Sequence, residues 1–327
     1  MKSIAFFNNK GGVGKTSLVY HLAWMLADLG KRVIAIDLDP QSNLTTAFFD
    51  DEQLEKLWNS DGQTVYKMIS PLVKGTGDIN NPTILQISDN LGILPGDLKL
   101  SRFEDQLSEN WHKCLGGDER AFRVESCFWR LLDQAGRDFK ADVAFIDVGP
   151  NLGAINRSAM IAADHVVIPL APDLFSLQGM KNLGPTLREW RYNWNDRLKR
   201  RPQVLDINLP NGEMSPIGYI LMRHSIRLDR PTMAFERWID MMPGEYLRSV
   251  LNDENSLPPK AKDDPYCLDI LKDYRSLMPM AHEAKKPIFH LTAADGAIGA
   301  HYQYVKSARE DFEKLARRIA VKISLEI

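Results

Sequence analysis

The chain of 327 residues has only three cysteines, Cys114, Cys127 and Cys267, which are far apart in the sequence. Their number and spacing predict neither a disulfide framework nor a metal knuckle, and they fit a reducing compartment. The sequence also lacks a signal peptide and any apolar run approaching the ~18 residues of a membrane-spanning helix. We therefore expect a cytoplasmic protein.

An excess of either charge is missing as well. The 41 Lys and Arg residues nearly balance the 43 Asp and Glu residues, and the net charge is −2. A chain of this kind has no global basic field that would attract nucleic acid. Any nucleic-acid surface must therefore be a local patch.

The most informative segment lies near the N-terminus. Residues 8–17 read Asn-Asn-Lys-Gly-Gly-Val-Gly-Lys-Thr-Ser, directly after the apolar run Ile4–Phe7. Glycines in such a loop let backbone N–H groups approach phosphate oxygens, while Lys15 can reach the β- and γ-phosphates and Thr16 can ligate Mg²⁺. The usual pattern has glycine where this chain has Asn9, and a second lysine, Lys10, stands at the loop entrance.

Apolar, β-prone runs alternate with helical patterns along the chain. This order predicts an α/β fold of three layers, with a mostly parallel twisted sheet and helices on both faces. We predict one domain over residues 1–327, with surface insertions near 201–215 and 253–265. The predicted strands are Ser3–Asn8, Arg32–Asp37, Gly92–Pro95, Asp142–Val148, His165–Leu170, Pro216–Met222 and Pro287–Leu291. The predicted helices are Lys15–Leu29, Phe122–Gly136, Ile155–Ala163, Leu177–Arg200, Arg230–Leu251, Leu268–Ala284 and Gly299–Ile319.

Carboxylates end two of the predicted strands. Asp37 and Asp39 follow one buried run, and Asp147 follows another. At the carboxyl end of a parallel strand such groups face the ligand crevice, where they can hold Mg²⁺-bound water or orient an attacking water. A strand end followed by an Asp-Pro turn is the alternative, and the neighbouring phosphate loop favours function. The glycine-containing loop 149–153 could respond to a γ-phosphate.

Together these segments resemble the deviant Walker ATPases of the ParA/MinD group, and the ParA branch in particular. The resemblance covers most of the chain. It is carried by Lys10–Ser17, Asp37–Gln41, Leu94–Leu98, Asp147–Pro150, Ala163–Leu170 with Phe175–Gly179, and the tail from Lys285 onward.

The resemblance implies ATP and Mg²⁺ as cofactors and an ATP-dependent sandwich dimer. It implies that Lys10 reaches the partner's nucleotide, Lys15 holds the β- and γ-phosphates, and Asp39 positions the hydrolytic water. Thr16 and Asp147 would hold Mg²⁺, with Asp37 as a further contributor through water. The nucleotide-binding loop would comprise Lys10, Gly11, Gly12, Val13, Gly14, Lys15, Thr16 and Ser17.

Two features depart from the family pattern. The first strand begins at residue 3, so we expect no N-terminal helix-turn-helix of the kind found in longer partition ATPases. The family often has an asparagine at the end of the strand leading to the adenine pocket, where this chain has Met222 and Arg223.

Basic residues crowd one predicted helix and its end: Arg188, Arg191, Arg197, Lys199, Arg200 and Arg201. Such a patch could grip phosphate backbones without reading sequence, with an affinity that falls steeply with salt. A solvated helix face with the interleaved aromatics Trp190, Tyr192 and Trp194 packed inward is the alternative. The resemblance favours nonspecific DNA binding in the ATP state. A second basic set, on the last predicted helix, is diluted by acids.

The C-terminus bears on membrane binding. Apolar residues at positions 319, 321, 323, 325 and 327 alternate with a period of two. This pattern favours an edge strand or an ordered tail over a lipid-binding amphipathic helix, so we do not expect membrane association.

We therefore expect a slow ATPase, stimulated by a ParB-like partner, that couples nucleotide state to DNA binding in plasmid or chromosome partition. In its ATP state it would associate with the nucleoid. A ParA-like positioning ATPase for a protein cargo and a MinD-like membrane-surface regulator are the alternatives. The cysteine spacing does not suit an iron–sulfur electron-transfer ATPase.

Overall fold

The computed structural model describes residues 1–59, 62–222, 232–274 and 276–327. Eight strands lie within these ranges: β1 Lys2–Phe6, β2 Val33–Asp37, β3 Leu85–Ser88, β4 Leu91–Leu94, β5 Val143–Asp147, β6 His165–Leu170, β7 Ser215–Met222 and β8 Cys267–Leu271. The helices of the same ranges are α1 Lys15–Asp28, α2 Asn43–Phe48, α3 Asp51–Trp58, α4 Val65–Lys74, α5 Glu104–Lys113, α6 Glu119–Glu125, α7 Cys127–Phe139, α8 Ala154–Ile161, α9 Leu174–Lys199, α10 Thr232–Glu245, α11 Leu277–Ala284 and α12 Ala300–Lys322. A π-helical turn, Tyr246–Val250, follows α10.

The strands form one sheet in the order β3-β4-β2-β5-β1-β6-β7-β8. All neighbouring pairs are parallel except β3 with β4. Strands β2 and β5 are buried along their whole length, because helices cover both faces of a parallel sheet. The fold class predicted from the sequence is therefore confirmed.

A separate hydrophobic core lies on each face of the sheet. One core packs residues of α1, α2, α11 and α12 against the sheet, and the other packs residues of α4 to α10. Since β1 lies between β5 and β6, the segment after β1 emerges at the centre of the carboxyl edge. This is where ligands bind in open α/β sheets.

Three secondary-structure predictions are wrong. Residues 288–290 form a single 3-10 turn instead of a strand. The region predicted as one helix from Leu268 to Ala284 contains β8 and then α11, because the apolar residues of the strand run on into the periodic pattern of the helix. The helix predicted over Phe122–Gly136 is broken at Ser126 into α6 and α7.

The alternating apolar residues near the C-terminus predicted an edge strand or an ordered tail. In the structure α12 continues through most of this segment, to Lys322. Leu315, Ile319 and Ile323 recur at helical spacing and are buried in the core, whereas Val321 is 79% exposed. The apolar side of α12 is thus packed against protein. None of the helices in the described ranges is long and apolar enough to span a bilayer.

Candidate nucleotide-binding and hydrolysis site

The loop between β1 and α1 is shaped to bind an anion. Gly14 is the N-cap of α1 in the left-handed region, with φ of 86°, and no side chain caps the helix. Gly12 also has a positive φ, 72°, which glycine adopts without steric cost. The first N–H groups of α1 have no intrahelical acceptor, so they are available to phosphate oxygens.

Asn8 and Lys15 hold the loop in this shape. The Asn8 side chain donates to Pro169 O at 2.6 Å and accepts from the Lys10 amide at 3.0 Å. The Lys15 ammonium is buried and donates to Lys10 O at 3.2 Å. Burial lowers the pKa of Lys15, while the nearby carboxylates of Asp147 and Asp39 oppose that shift. The ammonium is therefore held close to two acids.

Asp37 and Asp147 are register partners on adjacent strands, and both are fully buried. Thr16 Oγ1 donates to Asp147 Oδ2 at 2.8 Å, but Asp147 Oδ1 has no hydrogen-bond partner among the described residues. Burial raises the pKa of Asp147 well above its usual range, and the neighbouring Asp37 adds to the shift. A buried acid with one unpartnered oxygen is well suited to an ordered cation or its water.

Magnesium fits this arrangement. Within the described residues, no group of three or more His, Cys, Asp and Glu side chains is arranged to hold a metal ion by itself. Mg²⁺ keeps several waters and is usually bound by one or two carboxylates together with substrate phosphates. The Thr16 hydroxyl and the free oxygen of Asp147 are such a partial ligand set, next to a phosphate loop.

Asp37 has a different local role. Its Oδ2 accepts from the Thr45 amide at 2.8 Å and from Thr45 Oγ1 at 2.7 Å, and its Oδ1 accepts from the Asp39 amide at 3.2 Å. Thr45 Oγ1 in turn accepts from the Gly96 amide at 2.7 Å. Burial raises the pKa of Asp37 to about 7, against these hydrogen bonds. We therefore assign Asp37 to joining β2, α2 and the segment after β4.

Asp39 lies between the two loops of the site. Its Oδ1 accepts from the Gln41 amide at 2.9 Å. A Cβ added at Gly149 would lie 3.2 Å from the same oxygen, so the loop after β5 passes directly over this carboxylate. Asp39 is thus placed between the strand-end acids and that loop.

Lys10 extends to α9. Its ammonium pairs with Asp173 and lies 5.7 Å from the centroid of the Phe175 ring. Asp173 is also the N-cap of α9, where it accepts from the Ser176 amide at 2.8 Å. The Phe175 ring is 72% exposed. Lys10 therefore lies at the edge of the site beside an exposed aromatic ring, and its reach across a dimer interface stays a prediction.

The end of β7 borders the phosphate loop. A Cβ added at Gly14 would lie 3.1 Å from Met222 Cε. The family resemblance implies that this strand leads to the adenine pocket, and Met222 brings its end next to the phosphate loop. Arg223, the other departure from the family pattern, lies outside the described residues.

The six basic residues of α9 and its end do not form one exposed patch. Arg197 is 4% exposed, donates to Trp111 O at 2.8 Å and stacks on the Trp111 ring at 3.6 Å, so a phosphate contact by Arg197 is ruled out. Arg188 donates to the carbonyl oxygens of Ser249 and Val250.

The remaining basic side chains differ in their availability. Arg191 is half-buried and donates to the carbonyl oxygens of Glu213 and Met214, so its guanidinium is already engaged by the protein backbone. Lys199, Arg200 and Arg201 are exposed, and Arg200 pairs with Asp196. The exposed basic patch is therefore the C-terminal end of α9, residues 199–201.

Several residues at or near the site were missed by sequence reasoning. Asn8 and Asp173 could have been found, since each is a polar residue close to the end of a buried strand or directly before a helix. Thr45 offered no such signal, because its partners Asp37 and Gly96 belong to other elements. Glu104 and Asn156, which bond the start of α8 and the loop before it, offered none either.

These features define the class: a phosphate-loop NTPase with strand-end acids. A family model described as an AAA domain matches residues 1–200, and the chain belongs to that family. Within it, the chain is of the ParA type of partition ATPase. The chromosome partitioning protein ParA of Caulobacter vibrioides is 28% identical over 205 residues, 63% of this chain and 69% of that protein.

Solved structures agree with this placement. The crystal structure of protein DIP2308 from Corynebacterium diphtheriae has a TM-score of 0.73 and 26% identity, covering 98% of each chain. A plasmid partition protein of Borrelia burgdorferi bound to AMPPNP has a TM-score of 0.58 and 20% identity, covering 98% of this chain and 99% of that one. The second similarity concerns the fold alone.

Proposed function

We propose that this protein binds Mg²⁺ and ATP, forms a homodimer around the nucleotide, and uses nucleotide state to control nonspecific DNA binding in plasmid or chromosome partition. The observation that carries the proposal is the pair of lysines in one loop. Lys15 is buried within the loop, whereas Lys10 extends to its edge. One phosphate cradle needs one lysine, so we assign Lys10, whose ammonium pairs with Asp173 at the edge of the site, to a second nucleotide.

The chemistry of the site supports nucleotide hydrolysis. The free N–H groups at the start of α1 and the Lys15 ammonium suit the phosphates, with Lys10, Gly11, Gly12, Val13, Gly14, Lys15, Thr16 and Ser17 forming the loop. Thr16 and Asp147 would hold Mg²⁺, which supplies charge neutralisation at the phosphates. Asp39 lies where it can accept a hydrogen bond from an attacking water. The Borrelia protein named above is bound to AMPPNP, which is consistent with this proposal.

The exposed end of α9 supports contact with a polyanion. Lys199 and Arg201 are exposed and carry no salt bridge in the described structure, while Arg200 pairs with Asp196. A dimer would present two such ends. Lysine and arginine contacts to phosphates position a protein on DNA without reading its sequence. We propose this end as the DNA-binding surface and nucleoid association in the ATP state as its consequence.

We propose that intrinsic turnover is slow. Within the described residues the ion-pair and hydrogen-bond contacts of Lys10 and Lys15 involve no arginine, and an arginine finger accelerates phosphoryl transfer by about 10³–10⁵. We therefore propose that a ParB-like partner protein stimulates hydrolysis and resets the switch.

Retention of DNA in three nucleotide conditions tests the proposal. Nonspecific duplex DNA is bound to the wild type with Mg²⁺–ATP, with Mg²⁺–ADP and without nucleotide, while sedimentation reports the oligomeric state. We expect dimerisation and retention with ATP only, and neither for Lys15→Ala. Lys74→Ala, at the exposed end of α4, is the matched control and should behave as the wild type. Equal retention under all conditions and in both variants refutes the nucleotide switch.

A further inference from the structure

The segment between β5 and α8, residues 148–153, lies against two elements of the site. A Cβ added at Gly11 would lie 3.8 Å from Pro150 Cγ, so this proline lies beside the phosphate loop. A Cβ added at Gly149 would lie 3.2 Å from Asp39 Oδ1. We call residues 148–153 the covering loop. Its conformation determines what surrounds Asp39 and the first glycines of the phosphate loop.

The covering loop is held from inside by Asn156. The Asn156 amide donates to Gly149 O at 2.8 Å and to Asn151 O at 2.6 Å, and it is 1% exposed. Since Asn156 belongs to the first turn of α8, the position of the loop depends on the position of that turn. Whatever fixes the start of α8 therefore also fixes the covering loop.

The start of α8 is fixed by one carboxylate from another part of the chain. Glu104, the first residue of α5, accepts from the Ala154 amide through Oε1 and from the Ile155 amide through Oε2, the latter at 2.9 Å. The helix has no cap from its own N-cap residue, Gly153. A carboxylate at a helix N-terminus gains from the free N–H groups and from the helix dipole.

A second contact joins the same two helices. Arg157 of α8 donates to Leu107 O of α5 at 3.1 Å, and its guanidinium lies 4.3 Å from the Trp111 ring. Glu104 and Arg157 thus fix α8 to α5 at two points. With Asn156, they form a continuous chain of contacts from α5 through α8 to the covering loop.

We infer that Glu104 is a positioning residue for hydrolysis, which sets the covering loop over Asp39 by capping α8. This inference rests on the proposed ATPase activity. Glu104 does not touch the phosphate loop in the described contacts, so it should affect the placement of the hydrolytic groups more than the affinity for nucleotide.

The test compares Glu104→Gln with the wild type. Glutamine keeps the size of the side chain, but it loses the charge and can no longer accept from both amides. We expect kcat for ATP to fall about tenfold, which corresponds to roughly 1.4 kcal/mol, while the Kd for AMPPNP changes less than twofold. The amides of Ala154 and Ile155 should exchange hydrogen faster. Glu104→Asp retains the charge with a shorter reach and should recover part of kcat.

Asp105→Asn is the matched control. Asp105 is the next residue of α5 and is exposed, so this variant removes the same charge without removing a cap. We expect its kcat and amide exchange to match the wild type.

The outcomes test the proposed ATPase function and the positioning role of Glu104 separately. A wild-type protein that does not hydrolyse ATP contradicts the proposed function itself. If the wild type is active and Glu104→Gln keeps its kcat, the positioning role is wrong. An equal loss in kcat, AMPPNP affinity and thermal midpoint assigns Glu104 to stability alone and also overturns the inference. Should Glu104→Gln fail to fold, Glu104→Asp carries the same test, since its partial loss must again appear in kcat and not in Kd.

Discussion

Replacing Asp147 by asparagine should stabilise the protein without divalent cations and sharply reduce ATP hydrolysis. Asp147 and Asp37 are buried register partners on adjacent strands, which lie about 4.8 Å apart. At roughly 5 Å and an effective dielectric constant of about 20, two like charges repel by about 3 kcal/mol. Asparagine keeps an acceptor for Thr16 Oγ1 and removes this repulsion. We expect the free energy of unfolding to rise by about 1–3 kcal/mol.

The stability gained by Asp147→Asn should increase as the pH rises. Burial raises the pKa of Asp37 to about 7 and that of Asp147 well above its usual range. An acid with a raised folded-state pKa binds more protons when folded, so its contribution to stability is present at low pH and is lost as pH rises through that pKa. The difference between Asp147→Asn and the wild type should therefore be small at pH 5 and grow towards pH 9.

Denaturant unfolding in EDTA at the two pH values measures this difference. Asp138→Asn, an exposed position on α7, is the control and should show no pH-dependent gain. A loss of stability for Asp147→Asn at pH 9, or an equal change at both pH values, would refute the argument that burial and the neighbouring Asp37 disfavour the charged form of Asp147.

Three further predictions follow from the described residues. Arg197→Ala removes a buried guanidinium that bonds Trp111 O and Asn193 O; denaturant unfolding should show a loss of about 2–3 kcal/mol. Arg201→Ala should leave stability unchanged and lower the slope of log K for DNA against log salt by about 1. If Arg197→Ala and Arg201→Ala change this slope equally, the assignment of the patch to residues 199–201 is wrong. Burial lowers the pKa of His21 to about 4, so its contribution to stability is present above the unfolded value and is lost as pH falls towards 4. His21→Leu should flatten the stability profile between about pH 6.5 and 4, and parallel profiles for variant and wild type contradict this.

The sequence predicts the central part of the fold well, because strong local signals coincide there. A buried run, a glycine loop and a periodic helix specify β1 and α1, and the acids after β2 and β5 meet because parallel strands end at the same edge. Between residues 43 and 113 the only element predicted was the strand Gly92–Pro95, which corresponds to β4, Leu91–Leu94. Helix α3 of this region buries only Leu54 and Leu57, so tertiary contacts decide its structure more than its own pattern does.

The site was predictable where a residue acts through its own motif. Lys15, Thr16 and Asp147 are examples. The role of Asp37 depends on Thr45, eight residues away and on a different element, and that of Glu104 depends on amides fifty residues away. The arginines of α9 look like a surface patch in sequence. The carbonyl groups that Arg188 bonds come from a turn some sixty residues later, and one sequence does not show that contact.

Helix α9 joins two regions of the proposed mechanism. Its N-cap, Asp173, pairs with Lys10, and its other end carries the exposed basic residues 199–201. Between them Gly184 packs so closely on the π-helical turn that an added Cβ would lie 1.8 Å from Ser249 O. The helix has 26 residues, so at 1.5 Å per residue it spans about 39 Å. One continuous helix thus connects the partner of Lys10 with the exposed basic end.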